Sequence, residues 1–302
     1  MNMSEHPIKR SLVFFLVPDF TMVAFATALE PIRIANRMLG YEAYKWRLAS
    51  IDARPVPASS GVLCAVNTSL QDERRMLAGP DRPSMVIVCT GAHVLAAAGL
   101  LAGKRCAIHW ENLPGFAEAF PNAHVFADLF EVDHDIYTCA GGTAALDMML
   151  KLIGDDFDES LVSRVCEQVL TDRVRGASDG QRLPLRARLG IQNSKVLTII
   201  ELMDANPSDP ISVGDIAKQV GLSRRQIERL FRDEMGRSPA RYYLEIRLER
   251  ARHMLIQSSV PIVEVATACG FISASHFSKC YRELYAQTPQ QERLERKYPA
   301  AS

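Results

Sequence analysis

The 302-residue chain has no apolar run approaching the ~18 residues of a membrane-crossing helix, and no leader pattern of basic then apolar residues at its start. A soluble protein is therefore expected, with the cytoplasm as its compartment. Its seven cysteines, Cys64, Cys89, Cys106, Cys139, Cys166, Cys269 and Cys280, form no CxxC pair and no metal-like Cys/His spacing. That excludes a disulfide framework and a zinc module, so neither metal nor cofactor is expected; small buried thiols in a reducing compartment fit instead. Net charge is missing too. Thirty-five Lys and Arg meet 35 Asp and Glu, a balance that taken whole argues against nucleic acid. The average hides a division. From Arg186 onward 18 basic residues face 13 acidic ones, while 17 face 22 before it. A basic module follows an acidic one, and only the second suits a phosphate backbone.

That second module says the same thing twice. Ser212 to Pro239 and Val263 to Pro289 share a pattern: Ala217 pairs with Ala266, Gly221 with Gly270 and Leu222 with Phe271 at one offset. Phe231 pairs with Tyr281, and Ser238-Pro239 with Thr288-Pro289, at an offset one residue longer. An internal repeat governs the reading of the whole segment. Each copy reads as a helix-turn-helix, with a small alanine where helices cross and a glycine giving the turn its positive φ. Ser223 and Gln226 stand in capping-box positions. Ile227, Leu230 and Phe231 make one apolar face, leaving Arg224, Arg225, Glu228, Arg229 and Arg232 outside. The second copy packs Phe277, Tyr281 and Leu284, leaving Ser273, Ser275, His276, Lys279 and Arg282 outside. A solvated face would explain one such set of charges. Two copies, joined by a helix from about Pro239 to Gln257, point to double-stranded DNA read in adjacent major-groove segments ~34 Å apart.

The first half alternates strand and helix, which predicts an α/β domain with a mostly parallel, flavodoxin-like sheet. Ser11–Val17 is a continuous apolar run, the mark of a strand covered on both faces. A helix follows over Thr21–Met38, with Pro31 inviting a kink. Strands are expected at Trp46–Ile51, Val62–Val66, Met85–Cys89, Cys106–Trp110 and Ile136–Cys139. Helices are expected from Thr90-Gly91 through Leu101, over Leu113–Phe120, to Ile153 and over Asp158–Val174. The expected division is an α/β domain at 1–175, a linker at 176–190 and an all-α DNA-binding domain at 191–298.

The residues Gly236-Arg-Ser-Pro-Ala-Arg-Tyr-Tyr243, Arg247-Leu-Glu-Arg-Ala-Arg252, Ala268-Cys-Gly-Phe271 and Ser275-His-Phe-Ser278 strongly resemble the AraC/XylS transcription regulators over about a hundred residues. Tyr281 replaces the usual phenylalanine, and Ala286 the usual glycine, which puts strain at that turn. Ser11 to Asn36, Cys89-Thr-Gly-Ala92, His109-Trp110 and Ala140-Gly-Gly-Thr-Ala-Ala-Leu-Asp147 resemble the PfpI-like, class I amidotransferase-like domain. That domain precedes the DNA module in GlxA-type members. Phe25–Asn36 and Gln181–Arg188 look closest to members sensing glycine betaine, carnitine and related amines. The resemblance implies a transcription regulator, more an activator of a catabolic operon than a repressor, which works with a small-molecule effector and RNA polymerase as a homodimer. One departure stands out. Asp81-Arg-Pro-Ser-Met-Val-Ile-Val88 runs directly into Cys89-Thr-Gly-Ala92, as though two strands were fused and the βα segment between them lost.

A cysteine between strand and helix is where a nucleophile would sit, its thiolate stabilised by the helix N-terminus. Cys89 has that setting and His109 ends a nearby strand. Thr90, however, stands where the hydrolases place histidine, and no carboxylate is spaced to orient His109. An inert cysteine lining a pocket is the ordinary alternative, and the chain is expected not to be an enzyme. A cysteine hydrolase or amidotransferase carrying a DNA module is the rival function; a sensor silenced by the lost segment is the third. Gly141, Gly142 and Thr143 either hold a carboxylate on free backbone N–H groups or form a plain turn. For the cation of an amine ligand the candidates are Trp110, Phe14 and Glu30.

Overall fold

The computed structural model describes residues 7–76, 83–87, 91–134 and 136–297, and the side chains of all these except Met85, Ile87 and 295–297. The chain forms two compact units: residues 1–110 with 122–181, and residues 111–121 with 182–302.

The first unit is built from β1 (Arg10–Phe15), α1 (Met22–Leu39), β2 (Tyr44–Ser50), β3 (Val56–Pro57), β4 (Leu63–Cys64), β5 (Thr68–Ser69), α2 (Leu70–Met76), β6 (Ser84–Ile87), α3 (Gly91–Ala97) and β7 (Arg105–Ala107). After α4 (Leu113–Ala119), which belongs to the second unit, come β8 (His124–Phe126), β9 (Phe130–Asp133), β10 (Ile136–Cys139), α5 (Ala144–Asp156) and α6 (Glu159–Val169). Four parallel strands lie in the order β5-β2-β1-β6, the flavodoxin-type arrangement that alternating strands and helices require. The apolar run in β1 is buried on both faces: Leu12, Val13 and Phe14 are at most 1% exposed. Helix α1 continues past Pro31.

Among the described residues the sheet is not continuous. β7 pairs with β8, and β10 pairs antiparallel with β9 rather than joining the parallel strands, so β6 ends the four-stranded sheet. Neither β8 nor β9 has enough alternation to announce itself, and both are missed by the sequence reading. Helix α6 stops short of the expected Val174 because Leu170 turns left-handed (φ 58°) and closes it. Buried acids pin the pieces. Asp156 takes Arg10 Nε and Nη2 at 2.6 Å each and the Tyr44 hydroxyl at 3.0 Å; Asp147 holds Arg175, and Glu73 holds Arg47. Removing one partner from such a pair strands a buried charge, which costs about 3–5 kcal/mol.

The second unit continues with α7 (Leu185–Leu189), α8 (Ser194–Ala205), α9 (Val213–Val220), α10 (Arg224–Met235), α11 (Pro239–Gln257), α12 (Ile262–Ala268), α13 (Ala274–Tyr285) and α14 (Pro289–Lys297). The joining helix α11 has the bounds read from sequence. It spans two cores. Tyr242 and Tyr243 close the first around Ile216, Ile227 and Phe231, while Leu248, Ala251, Met254 and Leu255 enter the second with Val265, Phe277 and Tyr281. At about 1.5 Å per residue its 19 residues make one strut of ~28 Å.

The departure at Tyr281 has a physical reason. Its hydroxyl donates to Glu292 Oε2 at 2.9 Å, and Glu292, only 6% exposed, also takes Arg252. The departure at Ala286 keeps its strain: Ala286 caps α13 at φ 60°, where the first copy has Gly236 at φ 66°. A left-handed alanine costs roughly 1–2 kcal/mol. Gly270 faces a harder limit, since beyond its φ of 72° an added Cβ meets Pro210 Cδ at 2.7 Å and the Pro207 carbonyl oxygen at 2.9 Å. Urea unfolding is therefore expected to show Ala286→Gly more stable by about 1 kcal/mol. Gly270→Ala should lose more than Gly221→Ala, whose Cβ meets nothing within 4 Å.

Candidate nucleic-acid interface and a cavity in the first unit

Both turns are held by a cation from the helix that precedes their motif. Lys195 Nζ on α8 donates to the Val220 carbonyl at 3.0 Å. In the second copy Arg247 on α11 donates from Nε to the Cys269 carbonyl at 2.8 Å and from Nη2 to the Gly270 carbonyl at 2.7 Å. Its guanidinium also lies 4.3 Å over the Phe271 ring, and burial holds its pKa below the ordinary arginine value. Leu222 N–H and Phe271 N–H then close matching bonds to Ala217 and Ala266 at 2.9 Å. Ser223 caps α10 with the expected capping box, and Ser273 caps α13 by accepting from His276 N–H. The two helix starts are thus fixed by the same chemistry.

On α10, Ile227 and Phe231 are fully buried while Arg224, Arg225, Arg229 and Arg232 are exposed and Glu228 is half-buried. None of these four arginines has an acid or hydrogen-bond partner among the described residues. Elsewhere Arg33, Arg47, Arg105, Arg175, Arg237, Arg241 and Arg252 each pair with a carboxylate. Uncompensated guanidiniums on one helix face suit bases and phosphates, since Arg matches both bidentately. On α13, Ser273, Ser275, His276, Lys279 and Arg282 are all exposed. His276 Nε2 lies 3.3 Å from the buried Cys280 thiol, a pairing the sequence does not announce.

The ligand candidates scatter. Cys89 and Thr90 lie outside the described residues. Glu30 is an exposed partner of Arg33, and Phe14 is wholly buried in the core. The His109 and Trp110 rings are 5.6 Å apart, and Trp110 N–H donates to Gln181. The Gly142 carbonyl accepts from Thr27, and the Thr143 hydroxyl accepts from Arg175 rather than capping α5. Among the described candidates Gly141 alone lines a cavity of about 440 Å³. That cavity lies between β6 (Ser84, Val86) and β10 (Ile136–Cys139), bordered by Ala145 and Met148 of α5 and by Arg10. Burial pushes the Cys106 and Cys269 thiols up to about 11 and raises Cys64 and Cys166, which keeps them protonated. Among the described residues no cluster of three potential metal ligands occurs, and no helix is long and apolar enough to cross a membrane.

A parallel α/β unit and a helical unit with two matched helix-turn-helix motifs define a DNA-binding transcription regulator. The helix-turn-helix domain family matches residues 216–295. The HTH-type transcriptional regulator GbdR of Pseudomonas aeruginosa is 41% identical over 94% of this chain and 84% of its own. CdhR of the same organism is 37% identical over 96% and 94%, and GlxA of Rhizobium meliloti 33% over 91% and 93%. The chain belongs to this family, the GlxA-type regulators of the AraC class. Arg225→Ala is expected to weaken operator binding at least tenfold in a mobility-shift titration and to flatten the fall of affinity with salt. Unchanged affinity and slope would remove α10 from the interface.

Proposed function

We propose that the protein is an activator of a catabolic operon that acts as a cytoplasmic homodimer and engages RNA polymerase once a small effector is bound. The DNA contacts fall to Arg224, Arg225, Glu228, Arg229 and Arg232 of α10 and to Ser273, Ser275, His276, Lys279 and Arg282 of α13. The free guanidiniums of α10 are the observation that carries this reading. The effector unit covers 1–175, the linker 176–190 and the DNA module 191–298. The unit has no catalytic role in this account: it converts ligand binding into a population shift in how two protomers present their DNA modules.

The effector belongs in the 440 Å³ cavity, a size usual for small-molecule sites. Arg10 spends Nε and Nη2 on Asp156, and its Nη1 has no partner among the described residues. That group suits a carboxylate, while the Tyr137 ring, on the same cavity, offers a face to an ammonium. Amino acids and betaines carry both groups. A ligand that binds only the folded state stabilises it by about 2.7 kcal/mol at a hundredfold excess over Kd. One of glycine betaine, carnitine, dimethylglycine, sarcosine and arginine is therefore expected to raise the melting midpoint by several degrees. Ala145→Phe, which fills the cavity, is expected to abolish that rise while leaving DNA binding intact. No rise with any of the five contradicts this effector class.

A further inference from the structure

The repeat shifts by one residue between its two halves, and the structure locates the shift. Leu222 and Phe271 make the same bond to the alanine five residues earlier, so they are equivalent. Ser223 and Ser273 make the same cap, so they are equivalent as well. In the first copy cap follows turn directly; in the second, Ile272 stands between them. Ile272 is the inserted residue.

A lone apolar side chain on a surface is ordinary. Ile272 is not ordinary in degree, for at 106% relative exposure it is the most exposed large apolar side chain among the described residues. Nor is it carried on a slack loop. The residues before it are fixed by Arg247 on the Cys269 and Gly270 carbonyls, by the Ser208 hydroxyl on the Ala268 carbonyl at 2.8 Å, and by the burial of Phe271. Ser273 fixes the residue after it. A β-branched side chain with few rotamers is thus held out rigidly at the head of α13, the end of a reading helix that meets base edges.

The single apolar group on the base edges of the major groove is the thymine C5-methyl. We infer that Ile272 is a specificity determinant of the second motif, making an apolar contact to one thymine methyl. This rests on α13 being a reading helix. The neighbouring Ser273, Ser275, His276 and Lys279 are polar, so Ile272 supplies the apolar part of the readout.

The test uses the full-length protein on a site selected from random duplex DNA, with each thymine replaced singly by deoxyuridine, which removes only the methyl. One such replacement is expected to weaken wild-type binding about fourfold, the equivalent of one buried methyl group. The same replacement is expected to leave Ile272→Ser binding unchanged, because the variant has already lost the contact. Wild-type indifference to every deoxyuridine overturns the proposal. So does a loss in Ile272→Ser that persists undiminished on the deoxyuridine site, which makes the contact one to sugar and phosphate. Full DNA affinity in Ile272→Ser with reduced transcription in vitro also overturns it, and assigns the side chain to RNA polymerase. Failure of the wild type to select any site, by contrast, strikes the DNA-binding reading itself.

Discussion

Arg247 binds two carbonyls of a turn that lies more than twenty residues further along the chain, and it does so from the helix that joins the two motifs. Hydrogen bonds from a charged donor contribute roughly 1.5–3 kcal/mol each, but the geometric effect is larger than the energy. The bonds tie the second turn to the strut rather than to its own copy alone. Since the same strut contributes Tyr242 and Tyr243 to the first core, the starts of α10 and α13 are referred to one rigid body. Lys195 does the equivalent for the first turn. Gly270 completes the constraint, because the approach of Pro207 and Pro210 leaves no room for a side chain.

Much of this second unit is legible in the sequence because its signals are local. Ser223 with Gln226, Ser238 before Pro239, and the alanine–glycine spacing each carry their own physical meaning, and α11 begins and ends where they place it. What the residues do not display are the long-range partners. Nothing near Arg247 in sequence says that it serves Cys269 and Gly270, and nothing near Tyr281 names Glu292 as the acceptor of its hydroxyl. The repeat offset does record an insertion, yet only the matched caps locate it at Ile272.

The first unit shows the opposite balance. Buried strands such as Leu12–Phe14 declare themselves, and helices are expected where α1 and α5 lie. Pairing does not declare itself. A strand of three or four residues, such as β8 or β9, has too little pattern to choose between parallel and antiparallel neighbours. The stretch before Cys89 reads in sequence as two strands fused into one. Among the described residues β6 and β10 belong to separate sheets, and a cavity lies between them. Glu30 pairs with Arg33 and the His109 and Trp110 rings lie 5.6 Å apart, whereas Arg10 and Tyr137, far apart in sequence, share a cavity.

One strut is proposed to present two reading helices as a single unit. Hydroxyl-radical footprinting of the protein on its selected operator tests it most directly. Two protected segments are expected for each protomer, on one face of the duplex and about 10–10.5 base pairs apart. A single protected segment per protomer, or two at a spacing that varies from site to site, would contradict it.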